Sequence, residues 1–177
     1  DGIRDDLVTG VQTCALPISF ELDFADLPGV SLAPPTSDWS IHWAQAELEA
    51  EAQLCQRLQD SSGMTEPGIA RLLSETLPDH CLLQVANSMP TRDLEWFWRP
   101  GRGQRRLLGN RGVNGIDGTL GSALGLAHGA TQPTFLLTGE LAFLHDSNAL
   151  LFASQLQGSL TVILVNNHGG GIFEHLP

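Results

Sequence analysis

The sequence predicts an α/β fold, a parallel doubly wound sheet, and three observations carry that expectation. Four short apolar runs recur after residue 80, separated by stretches of helical length. The runs are apolar throughout rather than alternating, the pattern of strands buried on both faces of a parallel sheet. The residues directly after each run are polar or rich in glycine, where such a sheet places ligands.

The elements follow in order. Residues 20–40 are rich in Pro, Asp and Ser, with LAPPTSDW in the middle, and suggest a strand end followed by an extended linker. Residues 41–60 should form a helix: Trp43, Ala46, Ala50, Leu54 and Leu58 share one stripe and acids fill the other face. SSGM breaks it. Thr65 can cap a second helix, with Pro67 in its first turn and Ile69, Leu72, Leu73 and Leu77 at helical spacing. Pro78-Asp79 ends that helix. Residues 81–86 form the first strand, and a loop from Asn87 turns helical near Pro90. Residues 105–110 form the second strand, 117–130 a glycine-spotted helix and 134–139 the third strand. Residues 146–156 should be a helix capped by Asp146, and 160–165 the fourth strand. Crossover handedness follows from these βαβ units, but strand order does not. Gly121, Gly125 and Gly129 recur on one helix face and imply tight packing against the sheet or another subunit.

Composition bounds the rest. At 177 residues the chain holds one domain and part of a second. Nine basic residues against 20 acidic ones give a net charge of −11, so no nucleic-acid partner is expected. Cys14, Cys55 and Cys81 are scattered and lack metal spacing, which fits a reducing, cytoplasmic setting. No apolar run approaches the ~18 residues of a membrane span. No signal peptide is visible. VTGVQTCALPI, residues 8–18, matches a common sequencing-library adapter translated in frame. Residues 1–19 are therefore expected to be an assembly artefact, and the gene to extend beyond both ends of the chain.

The chemistry should lie on the loops after the strands. They begin at Asn87, Asn110, Gly139 and Asn166, and all four are polar or glycine-rich. Glu140 offers a carboxylate at one strand end. Asn167, 27 positions on, offers an amide oxygen at the next. Hard oxygen donors of this kind suit Mg²⁺ or Ca²⁺ held jointly by protein and phosphate. A helix starting near Gly170 would aim its amides at the anion. A diphosphate bridged by Mg²⁺ fits best.

These residues resemble a known family. Gly139-Glu140, followed after 26 residues, the last of them Asn166, by Asn167, is similar to the thiamine diphosphate motif, a Gly-Asp that opens a segment closing in Asn-Asn. NSMPTRD, NRGVNGIDG, LHDSNALL and VNNHGGGIFEHLP together resemble the 2-succinyl-5-enolpyruvyl-6-hydroxy-3-cyclohexene-1-carboxylate synthases of menaquinone and phylloquinone biosynthesis. The likeness is dense from residue 65 onward and weaker over 20–63, which looks like the end of that family's middle domain and its linker. Residues 64–177 then correspond to its diphosphate-binding domain.

The resemblance implies thiamine diphosphate with Mg²⁺ or Mn²⁺ as cofactors. Glu140, Asn167 and the Gly169 carbonyl would hold the metal. Gly139, Leu141, Gly170, Gly171 and Ile172 would lie along the cofactor, Ile116 would bend it, and Leu176 would sit near its thiazolium. Ser88, Arg92 and Arg111 would bind substrate carboxylates, for which the Arg fork is suited. The implied reaction decarboxylates 2-oxoglutarate and adds the succinyl carbanion to isochorismate. A homodimer or homotetramer with the site at the subunit interface is implied. So is an activating Glu from another domain, which leaves the 177-residue chain alone inactive.

One residue departs from the family: Glu140 stands where the motif has Asp, and the added methylene could displace the carboxylate. Two alternatives stay open, another thiamine diphosphate carboligase of the acetolactate synthase kind and a non-catalytic phosphate-binding α/β module. His168 is read as an exposed loop histidine, Trp96, Phe97 and Trp98 as packing residues, and residues 99–106 as a solvated basic turn.

Overall fold

The computed structural model describes residues 38–99, 104–170 and 172. Expectations for residues 1–37 and 100–103 fall outside these. The described residues divide into two compact units, one ending at Met64 and the other starting at Thr65.

The first unit contributes helix α1, Asp38–Asp60, three residues longer at its start than the apolar stripe suggests. Asp38 explains the extension, because an acid in the first turn complements the helix dipole. No residue of α1 is fully buried; Leu54 and Leu58 of its apolar stripe are half-buried and Trp43, Ala46 and Ala50 are exposed. Trp39 and Trp43 instead pack on each other, with ring centroids 5.9 Å apart.

The second unit begins with α2, Glu66–Thr76, and Thr65 caps it as expected by accepting a hydrogen bond from the Gly68 amide. There follow β1 (Leu82–Val85), α3 (Met89–Phe97), β2 (Arg106–Gly109), α4 (Thr119–Gly129) and β3 (Thr134–Gly139). The chain continues through α5 (Glu140–His145), a 3-10 helix (Ser147–Gln155) and β4 (Leu160–Val165). The four strands form one parallel sheet in the order β2-β1-β3-β4.

Two hydrophobic clusters show that the sheet is covered on both faces. Ala70, Leu73 and Leu77 of the α2 region and Leu94 of α3 pack with Leu83, Val85 and Leu137. On the opposite face Leu120, Ala123 and Leu124 of α4 pack with Leu136 and with Ala149 of the 3-10 helix. Leu136 and Leu137 are neighbours in sequence that enter different clusters, as the strand's two-residue period requires. Each fully buried leucine contributes about 1.5–3 kcal/mol relative to leaving it in water.

Three expectations are corrected. Only the central strands β1 and β3 are mostly buried, whereas β2 and β4 are the outer strands of the sheet formed by the described residues, with Leu107 43% and Leu164 47% exposed. Uniform apolarity therefore does not separate an outer strand from a central one. The helix expected over 146–156 is a 3-10 helix preceded by the short α5. Asp146 does not cap its own segment; its Oδ2 accepts from the Gly121 amide at 2.7 Å. That serves the first turn of α4, whose own cap position is Gly118, in a left-handed conformation and without a side chain to offer. Of the three spaced glycines, only Gly121 has neighbours at contact distance within the chain. A Cβ on Gly121 would meet Asp146 and Ala149, whereas Gly125 and Gly129 face open space. Of the three aromatics, Phe97 and Trp98 pack on the core, while Trp96 is 61% exposed.

Candidate cofactor site

Strand order decides where the site lies. From β1 the chain moves outward to β2, then returns past β1 to β3 and continues to β4. The direction reverses between β1 and β3, and the loops after these strands diverge there to leave a crevice. A cleft of about 140 Å³ occupies this place. Asn87, Ser88, Met89 and Pro90 line it from the β1 end, Gly139, Glu140, Leu141 and Ala142 from the β3 end. Val165, Asn167, Gly170 and Ile172 line it from the β4 end, and Ile116 and Glu66 complete it.

Most of the residues singled out from the sequence meet in this cleft: Ser88, Ile116, Gly139, Glu140, Leu141, Asn167, Gly170 and Ile172. Gly171 and Leu176 lie outside the described residues, as does all but Ile172 of the helix expected after Gly170.

Glu140 opens α5, so its side chain starts at the end of β3 and reaches toward the loop after β4. Its Oε1 is buried and has no hydrogen-bond partner among the described residues. A Cβ built on Gly169 would stand 3.7 Å from that oxygen, at ordinary contact distance, and Gly169 has a φ of +99°, so glycine permits the turn that brings the loop beside the carboxylate. A buried carboxylate oxygen without a donor costs free energy unless a cation or proton satisfies it. The longer side chain of Glu140, compared with Asp, thus still reaches the loop.

That loop is held by its own amides. Asn166 Oδ1 accepts from the His168 amide at 3.0 Å and Asn167 Oδ1 from the Gly169 amide at 3.1 Å. Asn167 Nδ2 donates to Glu66 Oε1 at 2.8 Å. His168 is exposed, with a φ of +67°. Among the described residues no three His, Cys, Asp or Glu side chains cluster as a metal site. The available donors are instead the carboxylate of Glu140, with that of Glu66 engaged by Asn167, one amide oxygen and backbone carbonyls, a set suited to a hard cation that keeps other ligands from phosphate or water.

The two arginines stand apart from the cleft lining. Arg92 Nη1 donates to the Ser88 carbonyl at 2.8 Å. Arg111 Nη1 donates to Asn87 Oδ1 at 2.7 Å, and its side chain lines a separate groove with Trp98 and Leu107. Each is therefore tied to the loop after β1 rather than pointed into the cleft, though a guanidinium keeps further donors. Ser88, at the start of α3, has a φ of +74°, an uncommon conformation for a serine and a mark of a constrained loop.

Sequence reasoning missed two residues. Asn87 is only 2% exposed, and its Nδ2 donates to the carbonyls of Asn110 (3.0 Å), Val113 (3.2 Å) and Gly115 (2.6 Å). It pins the loop that carries Ile116. Its place directly after a strand marked it as a loop residue, but not as a hub. Glu66 has no local signal at all, because its partner Asn167 is 101 positions away.

A crevice at the switch point of a parallel sheet, with an unpartnered carboxylate facing a glycine-bearing loop, defines a nucleotide- or diphosphate-type cofactor fold. Residues 96–176 match the family described as thiamine pyrophosphate enzyme, C-terminal TPP binding domain. Over residues 96–176 the chain thus resembles a C-terminal thiamine pyrophosphate-binding domain, in keeping with its parallel α/β sheet. A solved Mycobacterium smegmatis protein, provisionally described as a thiamin diphosphate-dependent enzyme, shares the fold, with a TM-score of 0.50. It is 21% identical, and the match covers 60% of this chain and 21% of that one.

The particular likeness is to 2-succinyl-5-enolpyruvyl-6-hydroxy-3-cyclohexene-1-carboxylate synthase. The chain is 55% identical to the protein of that name from Synechococcus elongatus over 143 residues, 81% of this chain and 24% of the relative. It is 51% identical to that from Trichodesmium erythraeum over 135 residues, 76% of this chain and 23% of the relative. It is 42% identical to that from Gloeothece citriformis over 171 residues, 97% of this chain and 28% of the relative. The chain spans about a quarter of the length of these curated relatives.

Proposed function

We propose that the cleft binds thiamine diphosphate through a divalent cation, Mg²⁺ or Mn²⁺, and that the whole protein is a synthase acting on 2-oxoglutarate and isochorismate. The observation that carries the first part is the buried, unpartnered Glu140 Oε1 opposite Gly169. The second part is supported by the names of the relatives.

On this reading Glu140, Asn167 and the Gly169 carbonyl hold the cation. Gly139, Leu141, Gly170 and Gly171 admit the diphosphate closely, because backbone or a small lining leaves it room. Ile116 and Ile172 give the cleft apolar walls that exclude water from the reacting end, and the family resemblance assigns Leu176 to the thiazolium. Ser88, Arg92 and Arg111 take the substrate carboxylates, the arginines by turning free guanidinium donors toward them. Thiamine diphosphate, when bound, supplies the chemistry for releasing CO₂ from a 2-oxo acid and forming a carbon–carbon bond. The site works as part of a homodimer or homotetramer, in the cytoplasm, and the 177-residue chain alone does not decarboxylate 2-oxoglutarate. No helix among the described residues is long and apolar enough to cross a membrane.

Calorimetric titration of the chain with thiamine diphosphate, with Mg²⁺ and then with chelator, tests the cofactor reading. Binding should require the metal and fall at least about tenfold in E140Q, which removes the charge the cation needs. Glu140→Asp reports whether the extra methylene weakens the grip. Binding that ignores chelator, or that is matched by any nucleotide diphosphate, points to a general phosphate-binding module and sinks the proposal.

A further inference from the structure

Glu66 lines the same cleft as Glu140, and its carboxylate accepts a hydrogen bond from Asn167 Nδ2 at 2.8 Å. Thr65 already caps α2 through the Gly68 amide, so the start of the helix has its cap without Glu66.

An asparagine amide is nearly symmetric in shape. Turning it half a revolution exchanges its oxygen and nitrogen with little steric cost. The exchange would present an NH₂ group, a donor, to a cation. A carboxylate can only accept hydrogen bonds, so Glu66 pairs with Nδ2 and never with Oδ1. Held in this way, Asn167 turns Oδ1 to the other side, where it accepts from the Gly169 amide at 3.1 Å. Gly169 is also the residue that faces Glu140 Oε1. The hydrogen bond that Asn167 donates to Glu66 therefore helps set which end of the amide turns toward Gly169, the residue beside Glu140 Oε1.

We propose that Glu66 is the positioning residue of the cation site: by holding Asn167 Nδ2 it presents Asn167 Oδ1 to a divalent cation shared with Glu140. The proposal rests on the metal–diphosphate reading of the cleft given above. Glu66 itself is not a ligand. Partners of this kind, one bond removed from the metal, commonly change metal affinity by about 10–100-fold when lost.

A competing role for Glu66 is electrostatic, since an acid in the first turn stabilises a helix N-terminus. Two variants separate the roles. Glu66→Asp keeps the charge at the helix start but falls one methylene short of Asn167. Glu66→Gln loses the charge but keeps an acceptor oxygen at the same reach.

The experiment titrates the full chain with thiamine diphosphate at rising Mg²⁺ and reads the Mg²⁺ concentration that half-saturates binding. Metal-free melting temperatures are measured alongside. E66A and E66D should each raise the half-saturating Mg²⁺ by about tenfold or more. E66Q should raise it less than either, and E66D should melt without metal as the parent does. Should E66A fail to fold, the comparison of E66D with E66Q decides alone. The proposal is overturned if E66D binds Mg²⁺ like the parent, and an E66Q weakened while E66D is not would assign the effect to charge. A parent chain that shows no Mg²⁺ dependence removes the cofactor reading itself. Variants unchanged from a Mg²⁺-dependent parent remove only the role of Glu66.

Discussion

Asn87→Ala is the most informative change for the architecture of the cleft. The side chain is buried, and Nδ2 serves three carbonyls of one loop, those of Asn110, Val113 and Gly115, while Oδ1 takes the Arg111 guanidinium. Two N–H groups cannot make three full bonds, so two net hydrogen bonds are counted at about 0.5–1.5 kcal/mol each. The charge-assisted bond from Arg111 adds about 1 kcal/mol, below the usual range of about 1.5–3 because Arg111 is exposed. Val113 is exposed as well, so water can reach its freed carbonyl and moderate the loss. The expected cost is about 2–4 kcal/mol, read by urea unfolding at neutral pH. Asn87→Asp keeps the shape and the acceptor for Arg111 but aims a carboxylate at three carbonyls, so it should cost at least as much. N87A within about 0.5 kcal/mol of the parent, the range of an ordinary surface change, refutes the reasoning. So does an N87D variant that unfolds with the parent.

Three other outcomes are expected. Asp146→Ala should cost about 0.5–2 kcal/mol, because it removes the only side-chain acceptor seen for the Gly121 amide among the described residues, and an unchanged unfolding midpoint would contradict this. Gly158→Ala should cost about 1–3 kcal/mol, since a Cβ there would overlap the Ala127 carbonyl and stand 3.3 Å from that of Ala130; a parent-like melting curve would show that the loop can shift. Burial pushes the Cys81 thiol above its ordinary value of 9.0, with Arg105 nearby opposing the shift. The native state then holds the proton more tightly than the unfolded chain. The resulting stability is complete below pH 9.0 and declines as pH rises through and beyond it. Urea unfolding between pH 7 and 10 should show this decline in the parent and a shallower one in Cys81→Ala; parallel curves would exclude Cys81 as its source.

Much of the fold was legible because local physics dominates it. Thr65 caps α2 from its own chain neighbourhood, and the strand expected over 134–139 is β3 residue for residue. The Asp146 cap was misplaced because a side chain that can cap locally can also cap at a distance, and only the packing of the 3-10 helix on α4 selects between them. The lining of the cleft was legible in eight residues, since each follows a strand or belongs to a recognisable loop. The orientation of Arg92 and Arg111 was not, because it depends on Ser88 and Asn87 as partners.

The amino-acid order alone determined the parallel α/β class, the succession of its elements and the loops that carry the chemistry. These rest on periodicity, capping and turn residues, which act over a few positions. Tertiary structure alone decided which strands are outermost, where the crevice opens, and that Glu66 holds Asn167. Strand order joins residues 101 positions apart, and no local pattern encodes a pairing whose energy appears only when both ends are packed against the same sheet.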